Sequence, residues 1–205
     1  MTATGTRAAA GTADRADRPL TPAARRILDV AEELFYSRGI NTVGMELIAE
    51  RAEVTKKTIY DRFGSKSALV ARYLSARDAR WRAHLESRLE SAATARERVA
   101  ATFDALEEWV ARESPRGCSM VNAHAEIADP DHPGRAVVQE QKRWLRALYA
   151  DLARRTGARD PEALGDSLTM LHEGAVLART VTGVPDAVRT ARAAADALVT
   201  AHGAP

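Results

Sequence analysis

Apolar residues recur at spacings of three and four along most of this chain, and polar or charged residues occupy the positions between them. Such spacing is typical of amphipathic α-helices, whereas the alternation that predicts a β-strand does not occur in the sequence. Proline and glycine interrupt the helical pattern at residues 113–117, 129–133, 157 and 183–185. The pattern predicts an all-α fold of about nine helices.

Residues 1–20 lack this periodicity and consist largely of small and polar residues. Such a composition does not bury enough apolar surface to fold, so the sequence predicts a disordered N-terminal tail. Arg7, Arg15 and Arg18 are candidates for contacts with DNA, although tails of this kind are more often solvated. Thr21 and Pro22 then mark a helix start, because a threonine hydroxyl caps free amides and proline suits the first helical turn.

Three short apolar patterns follow one another between residues 25 and 72, separated by tight turns. Helices this short are not stable in isolation, so we expect them to pack together as one small unit. The third helix would expose a basic and polar face, as a helix that enters the DNA major groove does. The buried positions predicted for the three helices are Ile27, Ala31, Leu34 and Phe35, then Ile48 and Ala49, and finally Ile59 and Phe63.

The segments RILDVAEELFYSRG and IAERAEVTKKTIYDRFGSKSALV resemble the DNA-binding domain of the TetR (tetracycline-repressor-like) family of transcriptional regulators. The resemblance covers residues 25–72 and includes the run Thr58-Ile59-Tyr60 and the helix start at Ser65-Lys66 in the expected order. Beyond the tail over residues 1–20, it implies a helix-turn-helix DNA-binding domain over 21–66 and a helical ligand-binding and dimerisation domain over 67–205. It also implies a homodimeric repressor that leaves a palindromic operator when a small-molecule effector binds.

The exposed face of the third helix and its surroundings supply the candidate DNA contacts. Lys56 and Lys57 suit guanine edges or phosphates, Tyr60 offers a hydroxyl that contacts the DNA backbone in similar proteins, and Lys66 lies at a helix start, where free amides favour a phosphate. Asp61 either accepts from a cytosine or pairs with Lys57 one turn away. The ion pair is favoured because phosphates repel an unpaired carboxylate. The full candidate set is Gly44, Thr55, Lys56, Lys57, Thr58, Tyr60, Asp61 and Lys66.

Two positions depart from the usual pattern of the family. Glu53 stands at the corner of the helix-turn-helix, where glycine is usual because the turn often needs a left-handed backbone. We expect a positive φ at Glu53, at a cost of about 1 kcal/mol. Gly44 stands where serine or threonine commonly caps the first helix of the motif, and glycine still permits a helix to start there.

The C-terminal part of the chain offers candidates for a small-molecule cavity between helices. The segment GCSMVNAHAE, followed by DPDHP, resembles the central region that bounds the cavity in one group of TetR-like regulators. Asn122 and Glu126, four residues apart, are expected to face one cavity, whereas His124 points elsewhere. Taken singly, aromatic residues at helical spacing are more often ordinary core. The candidates are Trp81, Trp109, Met120, Asn122, Glu126, Trp144, His172 and Glu173.

The last two helices carry small and apolar residues at spacings of three and four, which lets helices approach one another closely. This pattern fits the core of a single chain, whereas the TetR resemblance implies a two-fold interface of four helices. A dimer would place two reading helices about one DNA turn, ~34 Å, apart. The candidate interface residues are Leu168, Leu171, Ala175, Ala178, Ala191, Ala195 and Leu198.

The formal net charge of +2 is too small for a protein that coats DNA. Between Thr55 and Lys66, however, four basic residues accompany a single acidic one, Asp61, so positive charge is concentrated near the predicted reading helix. The single cysteine, Cys118, excludes an intramolecular disulfide and a multi-cysteine zinc site. It is interpreted as a small buried residue or, less commonly, as a redox sensor. No metal or cofactor is expected.

Catalytic patterns are incomplete in this sequence. His124 and Glu126 form half of a zinc-deaminase signature without its cysteine half, and His172-Glu173 lacks the second histidine of a metalloprotease helix. A phosphate-binding glycine loop, a hydrolase elbow, a signal peptide and an apolar run of the ~18 residues that span a membrane are also missing. We expect a cytoplasmic protein, not an enzyme, whose partners are double-stranded DNA, a second copy of itself and an unknown effector. The alternatives are an activator, an effector-independent DNA-binding protein and, more remotely, a helical interaction module.

Overall fold

The computed structural model describes residues 20–202, and these residues form nine α-helices and no β-strand. The prediction of an all-α fold is confirmed. The predicted disordered tail lies outside the described residues, apart from Leu20. The helices are α1 (Pro22–Arg38), α2 (Met45–Arg51), α3 (Lys56–Phe63), α4 (Lys66–Glu90), α5 (Ala95–Glu113), α6 (Ser119–Glu126), α7 (Pro133–Arg155), α8 (Pro161–Thr180) and α9 (Ala187–His202).

Hydroxyl or carboxylate side chains cap five of the helix starts, and the imidazole of His132 caps α7. In each of the five a hydroxyl or carboxylate accepts a hydrogen bond from the backbone amide three residues ahead, which satisfies a donor that the helix leaves free. Glu97 adds the reciprocal bond of a capping box, because its carboxylate accepts from the Thr94 amide at 2.9 Å. These five caps are Thr21, Thr55, Ser65, Thr94 and Asp160, which open α1, α3, α4, α5 and α8. The helix starts at Thr21 and Ser65 are those named from the sequence.

Helices α1, α2 and α3 pack around one apolar cluster and form the head of the molecule. Ile27, Ile48 and Ile59 are completely buried at its centre. The cluster also takes in residues of three helices beyond the head, which cover one side of it. These are Leu69, Val70, Tyr73 and Leu74 of α4, Met120 and Ala123 of α6, and Val138 of α7, together with Ile127 just after α6.

Helices α5, α7, α8 and α9 pack around a second apolar cluster and form the body. Trp81 and Leu85, from the second half of α4, belong to this cluster. The 25-residue α4 therefore contributes to both cores and links them directly. Within the body, α7 and α8 approach closely at Gly165, where a Cβ atom would lie 2.7 Å from the Cα of Ala150.

The corner between α2 and α3 has the left-handed backbone expected from the sequence. Glu53 has a φ of 53° and is the one non-glycine residue with positive φ in the part of the chain that the structure describes. Adjacent backbone atoms are well bonded, since Arg26 Nε donates to the Ala52 carbonyl at 2.8 Å and the Val54 amide donates to the Ala49 carbonyl at 3.0 Å. The prediction for Glu53 is confirmed, and the corner is tied to α1.

Candidate DNA-binding surface and ligand cavity

Helix α3 has a narrow buried side and a broad exposed face. Ile59 is completely buried, whereas Lys56 and Lys57 are exposed and Tyr60 retains 45% of its accessible surface. The narrow side follows from the sequence, because a helix of eight residues presents only one or two positions to its neighbours. The remaining surface of α3 is polar and accessible, as a helix that enters a major groove must be.

Two ion pairs hold the lysines of α3. Lys56 Nζ lies 2.6 Å from Glu46 Oε1, and this bond lowers the pKa of Glu46 and raises the pKa of Lys56. Lys57 Nζ lies 2.7 Å from Asp61 Oδ2 one turn away, so the ion pair favoured for Asp61 from the sequence is confirmed. Pairs this exposed contribute little to stability, and a DNA phosphate can therefore replace either carboxylate.

The other candidate DNA contacts lie at helix starts. Thr55 Oγ1 accepts from the Thr58 amide at 3.1 Å and lies 2.9 Å from Thr58 Oγ1. Gly44 precedes α2 in an extended conformation, with φ −85° and ψ 159°, and provides no side-chain cap. Lys66 occupies the first turn of α4, and partial burial lowers the pKa of its ammonium group. The candidate set thus comes from the starts of α2, α3 and α4 and from the exposed face of α3.

A cavity of about 50 Å³, partly open to solvent, lies among α4, α5, α6, α7 and α8. Trp81 and Trp109 form an aromatic wall, with ring centroids 5.4 Å apart and an edge-to-face arrangement. His172 meets Trp81 in a similar way at 5.8 Å. The lining residues are Arg77, Asp78, Trp81, Leu106, Trp109, Val110, Ser114, Cys118, Ser119, Met120, Gln141, Lys142, His172, Glu173 and Val176.

A buried hydrogen-bond chain supports the wall at His172. Tyr149 Oη lies 2.9 Å from His172 Nδ1 and donates to Thr102 Oγ1 at 3.0 Å. Burial, assisted by the charge of Lys142, lowers the pKa of His172 to about 3, and burial raises the pKa of Tyr149. Both rings are therefore neutral at physiological pH.

Lys142 contacts two other cavity residues, Cys118 just before α6 and Glu173 in α8. Its Nζ lies 2.6 Å from Glu173 Oε1 and 3.4 Å from Cys118 Sγ. Burial alone would lower the pKa of Lys142, but the acidic groups of Cys118 and Glu173 outweigh it and raise the pKa. The lysine remains charged, and the ion pair ties α7 to α8 at the cavity wall.

Comparison with known proteins agrees with this arrangement of head and body. The family described as "Bacterial regulatory proteins, tetR family" matches residues 27–73, and the one described as "Tetracyclin repressor-like, C-terminal domain" matches residues 95–195. The chain belongs to the TetR family. It is therefore a transcriptional regulator with a helix-turn-helix DNA-binding domain.

Individual TetR-type relatives are distant in sequence. The HTH-type transcriptional regulator YjdC of Escherichia coli is 26% identical over 151 residues, which cover 72% of this chain and 78% of YjdC. The HTH-type transcriptional activator FasR of Mycolicibacterium smegmatis is 27% identical over 105 residues, or 51% of this chain and 48% of FasR. The crystal structure of a TetR-family regulator from Streptomyces coelicolor is 29% identical, with a TM-score of 0.83 over 89% of this chain and 96% of that chain.

In this TetR-family chain, α6 lies between the cavity and the head. Its first turn lines the cavity through Met120, whereas its end contacts the loop after α1. Asn41 donates from its backbone amide to Glu126 Oε2 and from Nδ2 to the Glu126 carbonyl, both at 2.9 Å. Asn122 Nδ2 donates to the Arg116 carbonyl at 3.0 Å. Asn122 and Glu126 do face one cavity, as expected, but it is a second, smaller one at the junction between head and body. Neither residue lines the cavity of Trp81 and Trp109.

Trp144 also lies away from the cavity. The guanidinium carbon of Arg82 stands 4.3 Å from the centre of the Trp144 ring, on the outer side of α4 and α7. The indole packs against the edge of the body cluster and is only half-buried. Of the eight residues proposed for the cavity, the structure brings together Trp81, Trp109, Met120, His172 and Glu173.

The residues proposed for the dimer interface lie mostly inside a single chain. Four of them are buried by helices of their own chain, with exposures of 0% for Leu168, 4% for Ala175, 6% for Ala191 and 1% for Ala195. Their side chains lie where α8 packs against α7 and where α9 packs against α5 within one chain. Leu171, Ala178 and Leu198 are partly buried. For the four buried residues this corrects the sequence-based assignment, because a buried side chain has no surface to offer a second copy. For Leu171, Ala178 and Leu198 the assignment stays a prediction.

An exposed apolar stripe occupies the opposite side of α8. Met170, Leu177 and Val181 retain 66%, 60% and 72% of their accessible surface, and Gly174 lies exposed between them. The four positions follow one another at spacings of four, three and four residues, so they share one face of the helix. These positions could not be identified from the sequence, because both sides of α8 are apolar and periodicity alone does not tell the buried side from the exposed one.

Several polar cavity residues were also missed. Arg77 lies four residues after Tyr73 and four before Trp81, and Gln141 interrupts the apolar stripe of α7. A polar residue at a core position is the signal that would have indicated them. Among the described residues, no cluster of His, Cys, Asp or Glu is arranged to hold a metal ion. None of the helices in that part of the chain has the length and apolar character needed to cross a membrane.

Proposed function

We propose that this chain is a homodimeric, sequence-specific transcriptional repressor that leaves a palindromic operator when a small molecule occupies the body cavity. The exposed face of α3 carries the proposal. Its polar side chains point away from the head core. Ile59 is the only residue of α3 that is completely buried in that core. In the TetR family this helix belongs to the matched DNA-binding region.

The proposed contacts follow from position and charge. Lys57 and Thr58 lie in the first turn of α3 and would contact base edges, because the N-terminal residues of a recognition helix lie deepest in the groove. Tyr60 and Lys66 would contact phosphates. Binding must separate Lys57 from Asp61, and the carboxylate then remains available to a cytosine amino group.

The exposed stripe of α8 supports a two-fold dimer. Met170, Gly174, Leu177 and Val181 form an apolar surface without cover from their own chain. Packing this surface against its copy would bury it, and glycine at the centre lets the two helices approach. The dimer would present two α3 helices to successive major grooves, ~34 Å apart, which requires a palindromic site.

The proposed release acts through α4 and α6, which line the cavity and also pack in the head core. Arg77 of α4 lines the cavity, and its Nη1 lies 3.5 Å from Glu32 Oε1 in α1. A ligand that moves Arg77 therefore changes a contact of the head. For a nearly complete switch, the ligand must bind the released state more tightly by about 5.5 kcal/mol.

Selection of bound duplexes from a random library tests the proposal, with the enriched sequences re-tested across salt concentration. The expected result is a palindrome whose half-sites are separated by about one helical turn, with an affinity that falls as salt rises. A folded dimer that enriches no motif would contradict specific DNA reading. Failure to bind DNA at any salt concentration would favour a helical interaction module.

An activator is the second candidate function. FasR, which is 27% identical over 105 residues, is a transcriptional activator. The two signs of regulation differ in a reporter assay in which the selected site stands upstream of a promoter. Reporter output that falls when the chain is expressed supports repression, and output that rises supports activation.

A further inference from the structure

The cavity wall contains two buried oxygen atoms that accept hydrogen bonds but receive none. Gln141 is 5% exposed, and its Oε1 has no hydrogen-bond partner within residues 20–202. Asp78 Oδ1 also lacks a hydrogen-bond donor among these residues, because Arg82 Nε and Nη2 both bond to the other oxygen, Asp78 Oδ2, at 2.9 and 2.8 Å. Buried acceptors without a donor are rare in folded proteins and costly to maintain. Both residues line the cavity.

The hydrogen-bond chain behind His172 adds a third acceptor. Thr102 Oγ1 donates its single proton to the Val99 carbonyl at 2.7 Å, so Tyr149 must donate to Thr102. The oxygen of Tyr149 then accepts from His172 Nδ1, which fixes the proton of the neutral ring on that nitrogen. Nε2 of His172 is left with a lone pair, on a residue that lines the cavity.

The charges at the cavity are already balanced. Lys142 lies 2.6 Å from Glu173, and Asp78 lies 2.8 Å from Arg82. Arg77 donates to the Glu113 carbonyl and lies 3.5 Å from Glu32, which Arg80 also binds. An anionic ligand at Lys142 would leave the partly buried Glu173 unpaired, and one at Arg77 would have to compete with groups that already bind it. A neutral or cationic ligand meets no such cost.

We propose that the effector has an aromatic or apolar body and at least one N–H or O–H group that donates to Gln141 or Asp78, and that it carries no carboxylate or phosphate. The body would lie against Trp81 and Trp109, and His172 supplies a further acceptor. This inference rests on the proposed function, because it assigns the effector to the cavity. The binding itself is measured without DNA.

Calorimetry on the full-length protein with four naphthalene probes tests the proposal. 2-Naphthol is a neutral donor, 2-naphthylmethylammonium is a cationic donor, 2-methoxynaphthalene has the same body without a donor, and 2-naphthoate is an anion. At least one donor probe should bind about tenfold or more tightly than 2-methoxynaphthalene, as expected for one satisfied buried acceptor. 2-Naphthoate should bind more weakly than either donor probe.

Gln141→Met removes one acceptor and keeps an unbranched side chain of similar length. The preference for donor probes should fall several-fold, and the melting temperature of the free protein should rise by about 2–4 °C, because an unsatisfied group is lost. Gln139→Met is the matched control, since Gln139 is exposed on the same helix. It should change neither quantity.

Three results would overturn the proposal: equal or tighter binding of 2-methoxynaphthalene or 2-naphthoate, absence of binding by every probe, or no rise in melting temperature for Gln141→Met. The comparison of the four probes on the wild-type protein tests the proposed ligand chemistry even if Gln141→Met does not fold. Donor probes that bind without releasing DNA would refute the effector role in the proposed function and leave the ligand chemistry intact.

Discussion

Leu177 lies beside Gly174 in the middle of the exposed stripe on α8 and is 60% exposed in a single chain. Complete burial of a leucine side chain stabilises by about 1.5–3 kcal/mol, so covering its exposed part is worth about 1–2 kcal/mol. A two-fold interface contains this residue twice, which gives about 2–4 kcal/mol per dimer. Leu177→Lys should therefore weaken dimerisation by about 30-fold to 1,000-fold, since 1.4 kcal/mol corresponds to tenfold.

Sedimentation equilibrium over a dilution series measures this change directly. The melting temperature of the monomer should stay nearly constant, because position 177 is already exposed to water. Val121→Lys is the matched control: Val121 is an apolar residue of α6, 48% exposed and outside the stripe. An unchanged dimer in Leu177→Lys, or an equal loss in Val121→Lys, would refute the assignment of the interface to this stripe.

Four further predictions concern the head and the core. Glu53→Gly should raise the stability by about 1 kcal/mol and the melting temperature by about 2–4 °C while operator binding is kept, since glycine relieves the φ of 53°; a lower melting temperature would contradict this. Tyr60→Phe and Lys66→Ala should weaken operator binding in a mobility-shift assay and leave the dimer intact; dissociation into monomers would show a structural role instead. The pKa of His172 in the folded protein is about 3, below the 6.5 of an unperturbed histidine. The neutral ring therefore contributes fully to the free energy of unfolding above pH 6.5. This contribution is lost as pH falls towards 3, and the free energy of unfolding decreases by up to about 1.4 kcal/mol per pH unit. Urea titrations should show that His172→Gln removes this slope. Gly165→Ala should lower the stability in urea by about 1–3 kcal/mol, because its Cβ would lie 2.7 Å from the Ala150 backbone; an unchanged midpoint would mean that α7 and α8 separate at little cost.

Features that depend on neighbouring residues could be read from the sequence. Thr55 and Ser65 cap their helices, Glu53 takes a positive φ, and Lys57 pairs with Asp61, because each of these interactions spans at most four residues. Local chemistry decides such contacts whatever surrounds them. The helix-turn-helix was therefore predictable in detail.

Features that depend on the packing of distant helices could not be read in the same way. Glu126 shares a helix face with Asn122, but only the placement of α6 on the head turns that face towards Asn41, 85 residues away. Leu168 and Leu177 both belong to an apolar pattern, and the positions of α7 and α9 decide that only Leu168 is covered. Periodicity identifies the faces of a helix, whereas tertiary packing decides which face is covered.

The sharing of α4 between the two cores limits how this protein can be recombined with its relatives. The first half of α4 completes the head core with Leu69, Val70, Tyr73 and Leu74, and α6 adds Met120 and Ala123. A fragment that ends at Lys66 would expose this apolar surface to water, and we expect it to aggregate. A chimaera that grafts the reading head onto another sensor body must therefore carry the first half of α4 and retain an α6 whose surface matches it. The same constraint applies when regulators of this architecture acquire new effector specificities during evolution.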